Sequence, residues 1–378
     1  GAERWVRERP DQIFLNCACD HGLPITLPTA ETMRIHRIVV ALGAKSRCRK
    51  ELGGSGSLWL FPDLRGTEHV AVTSTDCRRF HIGGICPENE FVHVLDDVTL
   101  DIILGELDTI TDFTRYLRWK EDYIQSKRLF LAQGEENLLA AYLSSVNDQG
   151  QHDIVLPTSD GKLQVERNLW ERTCCSPEFL RKKRANKDSY CWGRMIDEFA
   201  DHVLAGTIIG ETEYTTNTDE MILRVLARET RLERRMLVES LLDQIGQADP
   251  TRICWRTIVS NQKPESAYVF GLFPQDQLNE EDYRKSRRNL MRAYCYVLGE
   301  RKRELRTIVG MATENHPGDE VSEDLVLFSS PEVWPDEMVQ DARKLRKELG
   351  IHDRRKQTRK GVHGNEYPEP RMNREQIG

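Results

Sequence analysis

Between Asp96 and Gln125 the apolar residues recur mostly three or four apart: Leu100, Ile103, Leu104, Leu107, Ile110, Phe113 and Leu117. A helix turns once every ~3.6 residues, so this spacing gathers them on one face. It predicts one long amphipathic helix from about Thr99 to Gln125, buried along much of its length. Further helical patterns cover 135–146, 189–204, 220–229 and 233–245. The long helix therefore opens a mainly helical region over 96–250.

The flanking thirds read differently. Before residue 96, strand-like runs at 13–17, 58–61, 69–73 and 91–95 surround a helix predicted over 30–44. That helix would be capped by Thr29 and stopped by Gly43. GGSGS at 53–57 is a loop and Gly83-Gly84 a turn. After residue 250, strands at 252–259, 266–273, 307–313 and 324–328 alternate with helices over 281–300 and 335–349. A short hairpin is expected around Asp160-Gly161. The fold class is α+β: a small N-terminal α/β unit (1–95), a helical region (96–250), a C-terminal α+β unit with a short mixed sheet (251–352) and a basic tail (353–378).

Composition excludes several classes. No apolar run approaches the ~20 residues of a spanning helix, so no membrane partner is expected. Sixty-one acidic residues against 54 basic ones leave −7, which gives no global basic field for nucleic acid. Ten cysteines at irregular spacing do not make a secreted disulfide framework, and a reducing cytoplasm with free thiols is expected. Phosphate-loop, dinucleotide and HExxH or GxSxG patterns are missing from the sequence, and no cofactor beyond Mg²⁺ or Zn²⁺ is expected. The opening GAERW lacks an initiator Met, which predicts a chain processed or cut from a longer protein.

Four groups of residues could carry chemistry. Pro62-Asp63 followed by Asp76-Cys77-Arg78 resembles the PD-(D/E)xK nuclease pattern, in which two acids hold a divalent ion. Arg78 stands where an activating lysine would, and a guanidinium does not deprotonate. Cys17, Cys19 and His21, with Cys77, His81 and Cys86, offer the thiolates and imidazoles zinc prefers, although the spacings are not those of C-x2-C knuckles. The acids Asp96, Asp97, Asp101, Glu106, Asp108 and Asp112 favour a helix start and a solvated face over a metal site. His36 reads as a packed histidine rather than a base.

The last group is basic: 181–187, the tail HDRRKQTRK, and a helix carrying Arg284, Arg287, Arg288 and Arg292. These arginines could meet phosphates weakly and without sequence preference. Acids stand among them, so a salt-bridged helix is the stronger expectation.

The stretches GAERWV, LPTAETMRIHRIVVALGA, FVHVLDDVTLDIILGELDTITDFTRYLRWKE, DSYCWGRMIDEF and TIVGMATE…SEDLVLF resemble a family of bacterial cytoplasmic proteins of uncharacterised function. The similarity runs to about residue 350. In that family such sequence follows an additional, nuclease-like N-terminal region, which implies that this chain corresponds to the C-terminal part. The family supplies no catalytic residues to carry over. The expected function is a non-catalytic interaction or regulatory region of a larger intracellular protein, linked to nucleic acid or defence, whose partner is another protein or the missing N-terminal region. A divalent-metal nuclease and a zinc-stabilised module are the alternatives.

Overall fold

The computed structural model describes residues 2–20, 22–23, 27–53, 57–65, 80–84, 91–147, 151–154, 161–205, 216–274, 279–315, 323–351 and 365–368. It is a mixed α+β fold with small sheets. The chain divides into two compact units, residues 1–185 with 365–378, and residues 186–364. The sequence-expected boundaries at 95/96 and 250/251 fall inside these units. Among the described residues, no helix is long and apolar enough to cross a membrane.

The first unit opens with helix α1 (Ala2–Glu8), then strand β1 (Arg37–Ala41), helix α2 (Ala44–Leu52), and strands β2 (Trp59–Arg65), β3 (His81–Gly84) and β4 (Val92–Asp96). The helix expected over 30–44 is not formed. Ile38, Val39 and Val40 are β-branched and lose rotamer freedom in a helix, and they pair in parallel with β4 instead. Gly43, at φ +69°, leads into α2 rather than ending a helix. The run at 13–17 makes only an isolated bridge, Phe14 to Gly22. Gly83-Gly84 belongs to β3 rather than to a turn. The strand expected at 69–73 lies outside the described residues.

The long helix is two helices, α3 (Asp97–Glu106) and α4 (Ile110–Gln125). Thr109 breaks it by capping α4: its hydroxyl accepts from the Asp112 amide and donates to the Asp112 carboxylate. Asp96 caps α3 in the same way through Thr99. The break turns Ile110 outward, 68% exposed, while Ile103, Leu107 and Leu117 stay in the core with Tyr116, Leu139 and Phe179.

Strand β5 (Leu129–Ala132), helix α5 (Glu135–Leu143), strand β6 (Leu163–Val165), and helices α6 (Leu169–Cys174) and α7 (Pro177–Ala185) complete the unit. Strand order is β3-β2-β5-β6 in one sheet and β1-β4 in the other. The β6 segment pairs in parallel with β5, and most of the hairpin expected around Asp160-Gly161, residues 155–160, lies outside the described residues.

The second unit contains helices α8 (Tyr190–Ala205), α9 (Thr216–Ala227) and α10 (Arg231–Ile245), strands β7 (Cys254–Val259) and β8 (Ser266–Phe273), helix α11 (Glu280–Arg301), strands β9 (Thr307–Glu314) and β10 (Glu323–Ser329), and helix α12 (Asp336–Glu348). The sheet runs β10-β9-β8-β7, with β8 and β9 parallel across the α11 crossover and both edges antiparallel. All eight positions of β8 are buried. Alternate side chains serve two cores: Ala267, Val269 and Phe273 meet Met291 and Cys295 of α11, while Tyr268 and Phe270 meet Trp192, Leu226 and Leu237. A continuous apolar run is what a strand covered on both faces requires. Gly310 lets α11 approach, since a Cβ there would lie 2.6 Å from Met291.

Candidate metal centre

Helix α4 buries Tyr116, Leu117, Lys120, Glu121 and Tyr123 on its inner side. Two of these are charged, and charges are buried only when paired. Lys120 Nζ lies 2.6 Å from Glu135 of α5, whose other oxygen accepts from the Tyr116 hydroxyl at 2.7 Å. Glu121 gathers a separate group. Its Oε1 lies 2.8 Å from His36 Nδ1, just before β1, and 3.0 Å from His93 Nε2 in β4. Arg34 donates to Oε2 at 2.6 Å. The parallel register of β1 with β4 sets Ile38 beside His93 and so carries His36 toward the same place.

The three ligand-type atoms of His36, His93 and Glu121 lie within 4.8 Å of one another. Side-chain exposure is 10%, 0% and 11%, and half-exposed Arg34 covers the group. Burial raises the Glu121 carboxyl, but its contacts with Arg34, His36 and His93 outweigh this and hold it below the usual range. Burial, aided by the Lys120 ammonium, pushes His93 down from 6.5 to about 4. At neutral pH His93 is therefore an uncharged imidazole donating its Nε2 hydrogen to Glu121. The second nitrogens, His36 Nε2 and His93 Nδ1, are buried with no hydrogen-bond partner among the described residues.

The residues singled out from sequence are placed elsewhere. Asp63 is exposed on β2, and Asp76 and Arg78 lie outside the described residues. Cys17 and Cys19 are exposed, and the Cys19 thiol sits 3.9 Å from the Cys17 carbonyl. His81 stands on β3 with its ring 5.2 Å from that of Trp59. His21, Cys77 and Cys86 lie outside the described residues. Among the described residues, no metal-ligand group includes Cys17, Cys19 or His81. All eight described cysteines are free thiols.

The arginines of α11 are not a solvated patch. Arg287 is 1% exposed and pairs with Asp324 of β10, its Nε 2.6 Å from the carboxylate. Arg284 reaches the same carboxylate at 3.1 Å and Arg288 at 3.9 Å. Arg292, half-buried, contacts Asn289 at 3.4 Å.

Sequence reasoning set His36 aside and passed over His93 and Glu121. The signal was present on α4. Lys120 and Glu121 stand four residues after Tyr116 and Leu117, on the stripe that the helix buries. His93 occupies an inward position of an alternating strand. Comparisons of the chain with protein-family models, curated proteins and solved structures return no match.

Proposed function

We propose that the first unit is a divalent-metal-binding module, in which His36, His93 and Glu121 hold one transition-metal ion. One observation carries the reading: two imidazoles and a carboxylate, contributed by three separate segments, converge within 4.8 Å in a largely buried place. Imidazole nitrogen suits Zn²⁺ or Fe²⁺ far better than Mg²⁺. Two His and one Glu leave a fourth position for water, the ligand count of catalytic rather than structural zinc sites. An ion held by these three side chains would supply Lewis acidity at that place. Holding an ion there would require the hydrogen on His93 Nε2 to leave that nitrogen, and Arg34 and Lys120 are the cations the ion would have to tolerate.

This reading keeps the sequence-based expectation of a region of a larger intracellular bacterial protein. It ranks ahead of an interaction region and ahead of a nuclease built on exposed Asp63. Substituting Co²⁺ tests it. A four- or five-coordinate absorption spectrum should form at one equivalent in the whole chain and vanish in His36→Ala and in His93→Ala. Retention of the spectrum in both variants, or no spectrum at all, would refute the assignment. In that case the group is an ion cluster that joins β1, β4 and α4.

A further inference from the structure

Residues 365–368, Asn-Glu-Tyr-Pro, lie against the first unit more than 180 residues from the segments they touch. Glu366 Oε1 lies 2.7 Å from Lys182 Nζ of α7 and 3.4 Å from His152 Nε2, with all three side chains at most 12% exposed. The Tyr367 hydroxyl donates to the Leu143 carbonyl at the end of α5. The Lys182 ammonium stands 5.6 Å from the centre of the Tyr367 ring, within reach of a cation–π contact. Arg181 Nε donates to the Pro368 carbonyl at 3.1 Å. Within the segment, the Tyr367 amide donates to the Asn365 side chain and closes a turn.

We propose that Lys182, His152, Arg181 and the Leu143 carbonyl form a peptide-recognition site for an acidic residue followed by tyrosine and proline. Its resident ligand is the chain's own C-terminal segment. The contacts are of the recognition type: one buried carboxylate on a cation, one hydroxyl on a backbone acceptor at a helix end, and one backbone carbonyl on a guanidinium. Burial alone would raise the Glu366 carboxyl, yet Lys182 and His152 hold it well below its usual range. The anion therefore belongs to the docked state. A tethered ligand competes at an effective concentration set by its connection and so shields the site from a free peptide of the same motif.

The test uses the whole chain and a fluorescein-labelled peptide of residues 361–372, GVHGNEYPEPRM, followed by anisotropy. The unmodified chain should bind this peptide at least tenfold more weakly than a chain whose own segment is released by Glu366→Lys with Tyr367→Ala. The released chain should reject a peptide carrying Glu366→Lys. With Lys182→Glu added, it should reverse that preference, a readout that loss of folding cannot produce. Equal binding by the unmodified and released chains, or no binding by either, would overturn the proposal. A concentration-dependent dimer of the unmodified chain that disappears on release would also overturn it, since the occupant would then be another copy's segment.

Discussion

In each unit a buried carboxylate draws three basic groups, Asp324 in one and Glu121 in the other, and these two hubs mean different things. In the second unit Asp324 is met by Arg284, Arg287 and Arg288. Guanidinium groups cannot lose a proton and offer no lone pair to a metal, so this hub can only hold β10 to α11. In the first unit Glu121 is met by two imidazoles and one arginine. Imidazoles present lone pairs as readily as hydrogens, and each has a second nitrogen with no partner among the described residues. Similar counts of partners around a carboxylate thus give a structural clamp in one place and a ligand set in the other. The identity of the base decides it.

The largest expected effect belongs to the clamp. Asp324→Ala leaves Arg287 buried without its main counter-charge, and removing one partner of a buried pair costs about 3–5 kcal/mol. Denaturant unfolding of the variant should show that loss, and an unchanged midpoint would break the comparison. Glu121→Gln should cost less, about 1–2 kcal/mol, because an amide oxygen still accepts from imidazole N–H groups and Arg34 is open to water. A larger loss than in Asp324→Ala would make both hubs structural.

A smaller effect concerns pH and the docked segment. The Glu366 carboxyl titrates lower when docked than its ordinary value of 4.5, so the undocked chain takes up more protons in acid. Its contribution is complete above 4.5 and is lost as pH falls below it. Hydrogen exchange at Glu366 and Tyr367 should be protected at pH 7 and accelerate, beyond the intrinsic pH effect, by about pH 3. Identical protection factors at both would contradict this. The smallest effect is at the rim of the second unit, where Arg303→Ala removes an exposed contact to Glu300. It should change stability by no more than about 1 kcal/mol.

Much of the second unit was legible in sequence. β8 coincides with the run at 266–273, and α11, β9, β10 and α12 begin and end within a residue or two of their expected places, because apolar runs there are cleanly bounded by polar loops. Arg287 also carried a clue, four residues before Met291 on the buried side of α11. The first unit was harder to read. Apolar spacing continues unbroken from Leu107 to Ile110, so the capping by Thr109 that divides α3 from α4 is hidden by the periodicity. β1 resembles a helix until its β-branched run is set against β4. The candidate site was least legible of all, since His36 and Glu121 stand 85 residues apart and only parallel pairing unites His36 with His93.

Calorimetric titration of the whole chain with Zn²⁺, repeated on Glu121→Gln and on Asp324→Asn, tests the contrast between the hubs most directly. One ion should bind per chain, Glu121→Gln should lose it, and Asp324→Asn should keep it at unchanged stoichiometry. Undiminished binding by Glu121→Gln, or no heat of binding in the unmodified chain, would contradict the account.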